Sequence, residues 1–301
     1  MDKSAALHLL SFAPDLYAAF RRIGAAMGDE ALPPLLAALA AGDVAQQETA
    51  ARLAGIDTRL LAAVMRRGAG EAALPGAARL RLYLAGVNAA PLFHPDPAQV
   101  PTLALPMQGQ HQDMPAFSDP AFDDWFAAKN VAYGLGLYGE KRSVYASAQF
   151  ADRASAERRM IHLGVDIFAP PMSPVHAPLP GTVHSVAYNG AALDYGHTLI
   201  LSHQAEGLWF YTLYGHLAAT LPRLLTVGQA VTQGQTIADL GAWHENGGWA
   251  PHLHFQVIGD MLDQNGGNFL GVGHESLWDV WRDICPDPNL ILRLSPEKFL
   301  A

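Results

Sequence analysis

Three short clusters hold the residues best suited to chemistry: His162-Leu-Gly-Val-Asp166, Tyr214-Gly-His216-Leu and His252-Leu-His254-Phe. Imidazole nitrogens and carboxylate oxygens are good ligands for a divalent metal such as zinc. Side chains alternate along a strand, so both histidines of an H-x-H pair face one way in an extended segment. His162 and Asp166, four residues apart, do the same. Ligands from two distant segments would then converge on one side of a sheet. Three protein ligands leave a coordination position for water, which marks a catalytic site and not a structural one. Each cluster alone is unspecific, because histidine fills many other roles. Their joint appearance in one β-rich region, in this order, carries far more information.

Such clusters need a framework. Residues 160–258 provide short apolar runs, HTLILSH, LWFYTLYGHL and HLHFQVI, separated by Gly, Pro and Asn. This is an all-β pattern, expected to form a sandwich or open barrel. Residues 1–90 read instead as helices. Leu16, Phe20, Ile23 and Met27 share one helical face, Pro33 and Pro34 suit a first turn, and Asp57 is placed to cap a helix carrying Leu60, Leu61, Val64 and Met65. A bundle of about four to six helices is expected. Residues 91–120 hold seven prolines, which deny helix and ladder hydrogen bonds. They are expected to form an irregular surface connector, followed by a short helix near Asp119–Lys129. VAYGLGLYGEKRSVYASAQF has the look of a hairpin, and Ser276–Ile284 of a helix. The fold class is α+β in two parts: a helical domain over 1–90, a connector over 91–130 and a mostly antiparallel β domain over 131–301, with its core at 159–258.

Composition narrows the function classes. Half of the 301 residues are hydrophobic and 16% are charged, which excludes wholesale disorder. The formal net charge is −9, and no segment has the basic excess that would draw it to nucleic acid or anionic lipid. QQETAARLAGIDTRLLAAVM resembles a helix-turn-helix, but only Arg52, Arg59, Arg66 and Arg67 are there to meet phosphate. A structural or partner-binding bundle is the better expectation, with no nucleic acid. The single cysteine, Cys285, excludes an internal disulfide framework and is expected to be a buried small hydrophobe. The amino terminus reads as a helix start and not as a signal peptide, and no apolar run reaches the ~18 residues of a membrane span. The expected location is the cytoplasm.

HLGVDIFAP, PVHAPLPGTV, YTLYGHL, VGQAVTQGQTIADLG and PHLHFQV, in this order across about residues 159–258, resemble the M23 family of zinc metallopeptidases, the lysostaphin/LytM-type endopeptidases. The wider stretch from Tyr138 to Leu292 resembles the version found in some fusions with phosphotransferase-like and class III aminotransferase domains. The resemblance implies that His162, Asp166 and His254 bind one Zn2+ per chain. It also implies that His216 and His252 are the two catalytic histidines that are not ligands, with either one as general base. The implied activity is hydrolysis of an amide bond through a metal-bound water, on peptidoglycan peptides or their fragments. A cytoplasmic zinc hydrolase of another small peptide or amide, and a zinc-bound module without turnover, remain as alternatives.

Other residues have plainer expectations. His203 is expected to be buried with a hydrogen-bonded ring, His176, His184 and His197 to lie in strands or turns, and His244 to be a candidate for reaching substrate. His8, His94, His111 and His274 have no partner evident in the sequence. The family usually has a Gly/Ser/Thr-rich loop before the H-x-H pair. Here it is AWHENGGWAP, so Trp243 and Trp249 either narrow the groove or pack on the helix at Ser276–Ile284.

Overall fold

The computed structural model describes residues 1–107, 113–145 and 147–300; His111 lies outside the described residues. Six α-helices come first: α1 (Lys3–Phe12), α2 (Leu16–Met27), α3 (Leu32–Ala41), α4 (Val44–Leu53), α5 (Thr58–Gly68) and α6 (Ala77–Gly86). Their starts follow from side-chain caps. Asp15 accepts from the Ala18 amide, Asp43 from Gln46, and Asp57 from Arg59 and Leu60, satisfying first-turn donors that no helical carbonyl can reach. Leu16, Phe20 and Ile23 of α2 are buried against Leu61, Val64 and Met65 of α5, as their spacing requires.

The strands are β1 (Thr102–Ala104), β2 (Tyr133–Gly136), β3 (Ile161–His162), β4 (Val165–Phe168), β5 (Pro174–His176), β6 (Gly181–Asn189), β7 (Gly196–Ala205), β8 (Leu208–Leu217), β9 (Ala230–Val231), β10 (Thr236–Asp239), β11 (His252–Ile258) and β12 (Val272–Gly273). Eight form one sheet in the order β1-β2-β4-β11-β8-β7-β6-β9, antiparallel except for the β1–β2 pair. β5–β10 and β3–β12 form two separate ribbons. Four short helices complete the chain: α7 (Ala121–Ala127), α8 (Leu221–Leu224), α9 (Trp278–Ile284) and α10 (Asn289–Leu292).

The large sheet is open and does not close into a barrel, nor does a second large sheet face it. Helices cover it instead. On one face Ile200, Leu213 and Ile258 join α2, α5 and α9 in a single core that includes Trp281 and Cys285. On the other, Leu199, Leu201, Leu253, Phe255 and Val257 pack with Leu84 of α6, Phe93, Ile237 and Ile291. Alternation along each strand divides its side chains between these two cores.

Two local expectations are corrected. The stretch after Val131 is no hairpin: β2 pairs with β1 and β4, and the chain then turns to bring Arg142 into the interior beside Asp166. A buried ion pair of this kind requires that the segment leave the sheet plane. The proline-rich connector is not wholly irregular or superficial either. Between Pro101 and Pro106, residues Thr102–Ala104 form β1 at the sheet edge, where neighbouring proline is tolerated. Leu92, Phe93, Leu105 and Phe117 of the connector are buried.

Ion pairs tie the bundle to α9. Arg21 makes a two-pronged contact with Asp279 at 2.7 Å on each arm, and Arg67 Nε reaches the same carboxylate at 3.2 Å. The hydrogen bond from Arg21 leads the effects that lower the Asp279 pKa from its ordinary 3.8 to about 2. The resulting stability is present above the unfolded pKa and is lost as pH falls from about 4 to about 2. Asp279→Asn is therefore expected to cost about 1 kcal/mol near neutrality, discounted for its partial exposure, with the difference from wild type disappearing in acid. Urea unfolding at several pH values tests this; a penalty independent of pH would refute it. The four arginines of the helix-turn-helix-like segment are all engaged within the chain: Arg52 on the Ala13 and Pro14 carbonyls, Arg59 on Asp260, Arg66 on Asp29 and Arg67 on Asp279.

Candidate metal centre

The register of the sheet builds the centre. Gly136, Asp166, His254 and Gly215 lie side by side across β2, β4, β11 and β8. Glycine at the two outer places has a steric cause. A Cβ on Gly136 would approach Arg142 Nη2 to 2.8 Å and Asp166 Cβ to 2.9 Å, while one on Gly215 would come within 2.5 Å of the Tyr195 ring. The missing side chains admit Arg142 beside Asp166 and Tyr195 beside His254. His162 arrives by another route. It belongs to β3, which pairs with β12, so the four-residue spacing to Asp166 does not run along one continuous strand. Leu163 and Gly164 carry the chain from one sheet to the next.

His162 Nε2, His254 Nδ1 and one oxygen of Asp166 lie 3.0 to 3.2 Å from one another. All three residues are buried, at 1 to 3% exposure. The outer atom of each is already committed. His162 Nδ1 is 2.8 Å from the Leu137 carbonyl, His254 Nε2 is 2.9 Å from Gln256 Oε1, and Asp166 Oδ2 accepts from Arg142 at 2.7 Å. An oxygen acceptor at the outer nitrogen puts the ring proton there and leaves a lone pair on the inner nitrogen. Burial pushes the His162 pKa down to about 4, which keeps its ring neutral. Burial opposes the Asp166 charge, but His162 and Arg142 outweigh it and hold the carboxyl well below its usual range. Three acceptors thus face one point with no proton assigned between them. Such a donor set fits a divalent cation, and these three residues are the cluster able to hold one among the described residues.

Two further imidazoles adjoin this point. His252 Nδ1 is fixed by the Ala250 carbonyl and His216 Nδ1 by the Asn246 carbonyl, both at 2.7 Å, so each keeps Nε2 free. The two rings lie 4.2 Å apart, and His252 Nε2 is 3.8 Å from Asp166 Oδ1. Burial lowers the pKa of both, so both are held as neutral bases. His216 adopts φ +62°, a left-handed conformation that costs a non-glycine residue about 1 kcal/mol. Hydrogen bonds from its amide to the Tyr195 carbonyl and to its own carbonyl from Gly241 keep it there.

A cavity of about 430 Å³ opens over Asp166, His216, His252 and His254. Trp249 lies in its wall, edge-on to His216 and His252, whereas Trp243 donates to Asp123 of α7 at 2.7 Å. Of the two expectations for the tryptophans, Trp249 therefore meets the first, and Trp243 packs on a different helix from the one foreseen. His203 is buried between the Pro180 carbonyl and the Thr212 hydroxyl, each at 2.8 Å, and His274 binds Asp152. His244 is exposed and is not among the residues lining the cavity. Cys285 is inert, its thiol pushed up to about 12 by burial. Sequence reasoning missed Arg142, Tyr195, Asn246 and Gln256. Only Gln256 left a signal, since period-two alternation puts it on the face of His252 and His254.

A buried two-histidine, one-carboxylate cluster able to hold a metal ion thus lies beside a cavity on an antiparallel sheet. Among known proteins, residues 160–266 match peptidase family M23, and the relatives of this part of the chain are metallopeptidases by name. An uncharacterized metalloprotease of Haemophilus influenzae is 37% identical over 95 residues, covering 32% of this chain and 18% of that protein. The peptidoglycan DD-endopeptidase ShyC of Vibrio cholerae is 33% identical over 104 residues, covering 35% of this chain and 22% of its own. The crystal structure of a zinc containing peptidase from Vibrio cholerae is 35% identical, covers 33% of this chain and 28% of that one, and has a TM-score of 0.28. The chain spans about a fifth of the length of the curated relatives it matches.

Proposed function

We propose that the chain is a zinc-dependent endopeptidase acting on peptides, with peptidoglycan peptides or their fragments as the substrate class. His162, Asp166 and His254 would hold one Zn2+. The convergence of their three lone pairs, each fixed by an outer hydrogen bond, is the observation that carries this reading. Zinc supplies a Lewis acid that polarises a peptide carbonyl and lowers the pKa of a bound water toward about 7. The chain's own residues do the rest. The free Nε2 atoms of His216 and His252 accept the proton of the attacking water, return it to the departing amine and hydrogen-bond the developing oxyanion. Arg142 fixes the Asp166 carboxylate, and Gln256 fixes the ring of His254. The cavity has room for a short peptide segment. The substrate class follows the name of the ShyC relative.

Residues 1–90 are assigned a scaffolding role, since α2 and α5 share one core with the sheet and α9 while α6 packs in the core on its other face. Among the described residues no helix is long and apolar enough to cross a membrane.

Elemental analysis of wild type and His162→Ala tests the centre. One zinc per chain, lost in the variant, is the expected result. Wild type that takes up no zinc when zinc is supplied, or a variant that keeps it, would overturn the reading.

A further inference from the structure

The cavity wall carries two arginines, and only one of them is neutralised. Arg142 is paired with both Asp166 and Glu140. Arg159 is not: among the described residues it has no carboxylate within ion-pair distance. One arm donates to the Gln149 carbonyl at 2.8 Å, and its Nε is buried with no hydrogen-bond partner. Asp152, the carboxylate with the largest influence on it, is already taken. It accepts from His274 Nε2 at 2.8 Å, from the Tyr17 hydroxyl at 2.9 Å and from the Ala154 amide at 2.9 Å. A partly buried guanidinium with one buried, idle donor is costly unless something fills it, and its planar fork matches a carboxylate.

We propose that Arg159 is a specificity-determining residue that binds a carboxylate of the ligand occupying this cavity. The source is either the free carboxyl end of a peptide or an acidic side chain. The proposal rests on the peptidase reading for the peptide nature of the ligand, and on Arg159 itself for the carboxylate. Arg159 stands just before the segment that matches the family, so that likeness assigns it no role. Of the two carboxylates on the wall, Asp166 is paired with Arg142, and Asp194 is satisfied by the Tyr195 amide and the Asn268 side chain.

The test is calorimetric binding to the full chain, both zinc-loaded and chelator-treated. The probes are acetyl-alanyl-alanine and its carboxamide, and acetyl-alanyl-glutamic acid α-amide and its glutamine counterpart. One acid is expected to bind about 10- to 100-fold tighter than its amide, the scale of a charge-assisted hydrogen bond. The pair that shows the difference identifies the source. Arg159→Gln should abolish the preference and Arg159→Lys should keep part of it, with zinc content and Tm reported for both to show that they fold. Equal binding of acids and amides, binding of neither, or a preference that survives Arg159→Gln would overturn the proposal. A wild type that prefers the acid yet hydrolyses no peptide would count against the peptidase reading alone.

Discussion

Asp166→Asn is expected to abolish zinc binding and to destabilise the protein by about 3–5 kcal/mol, the cost of leaving one half of a buried ion pair. The Arg142 and Asp166 side chains are each only 2% exposed and lie 2.7 Å apart. Burial works against the Arg142 charge, and Asp166, Tyr145 and Glu140 together more than restore it. Without that carboxylate the guanidinium keeps only Glu140, at 3.0 Å, and one of its nitrogens already lacks a partner. His254→Ala is the informative comparison. It removes a metal donor and strands no charge, so it should lose zinc with a smaller loss of stability in the metal-free state. Chemical unfolding of the metal-free proteins, alongside zinc analysis, separates the two effects. A stability loss below about 1 kcal/mol for Asp166→Asn would show that Arg142 relaxes toward Glu140 or water.

His252→Ala and His216→Ala should behave in the opposite way. Each should keep its zinc and lower peptide hydrolysis by about 10²- to 10⁴-fold, the range for losing a general acid–base group. Neither Nε2 is tied to another side chain, and both open on the cavity above the three inward donors. The double variant should lose much less than the product of the single effects if the two rings act as a unit. The pH profiles of the single variants would then identify which ring takes the proton. Loss of zinc from either variant, or turnover within a few-fold of wild type, would remove these residues from the proposed mechanism.

How much of this was visible beforehand differs between elements. The helices were legible because their signals are local: the spacing of Leu16, Phe20, Ile23 and Met27 and the cap at Asp57 need nothing from the rest of the chain. The β region was legible as a region, although its closure was not. A strand's alternation says that it has two faces but not what covers them, so the expected sandwich or barrel proved to be one open sheet with helices on it. The hairpin expected after Val131 failed because residues 139–142 pair their backbone with the distant segment 160–162 and not with the residues that follow them.

By itself the sequence supplied the residue types and their spacing in three clusters, and its resemblance to the M23 family implied the five positions of the candidate centre. Those facts are local, since metal-binding groups and period-two alternation are properties of short segments. Only the tertiary structure decided which nitrogen of each ring turns inward. For His162 and His216 that choice depends on carbonyl oxygens far along the chain, those of Leu137 and Asn246. It also decided that His162 reaches its partners from a separate ribbon, and that Arg159 stands on the cavity wall with no carboxylate at ion-pair distance among the described residues. Hydrogen-bond partners and uncompensated charges are relations between distant residues, and no spacing along one segment encodes them.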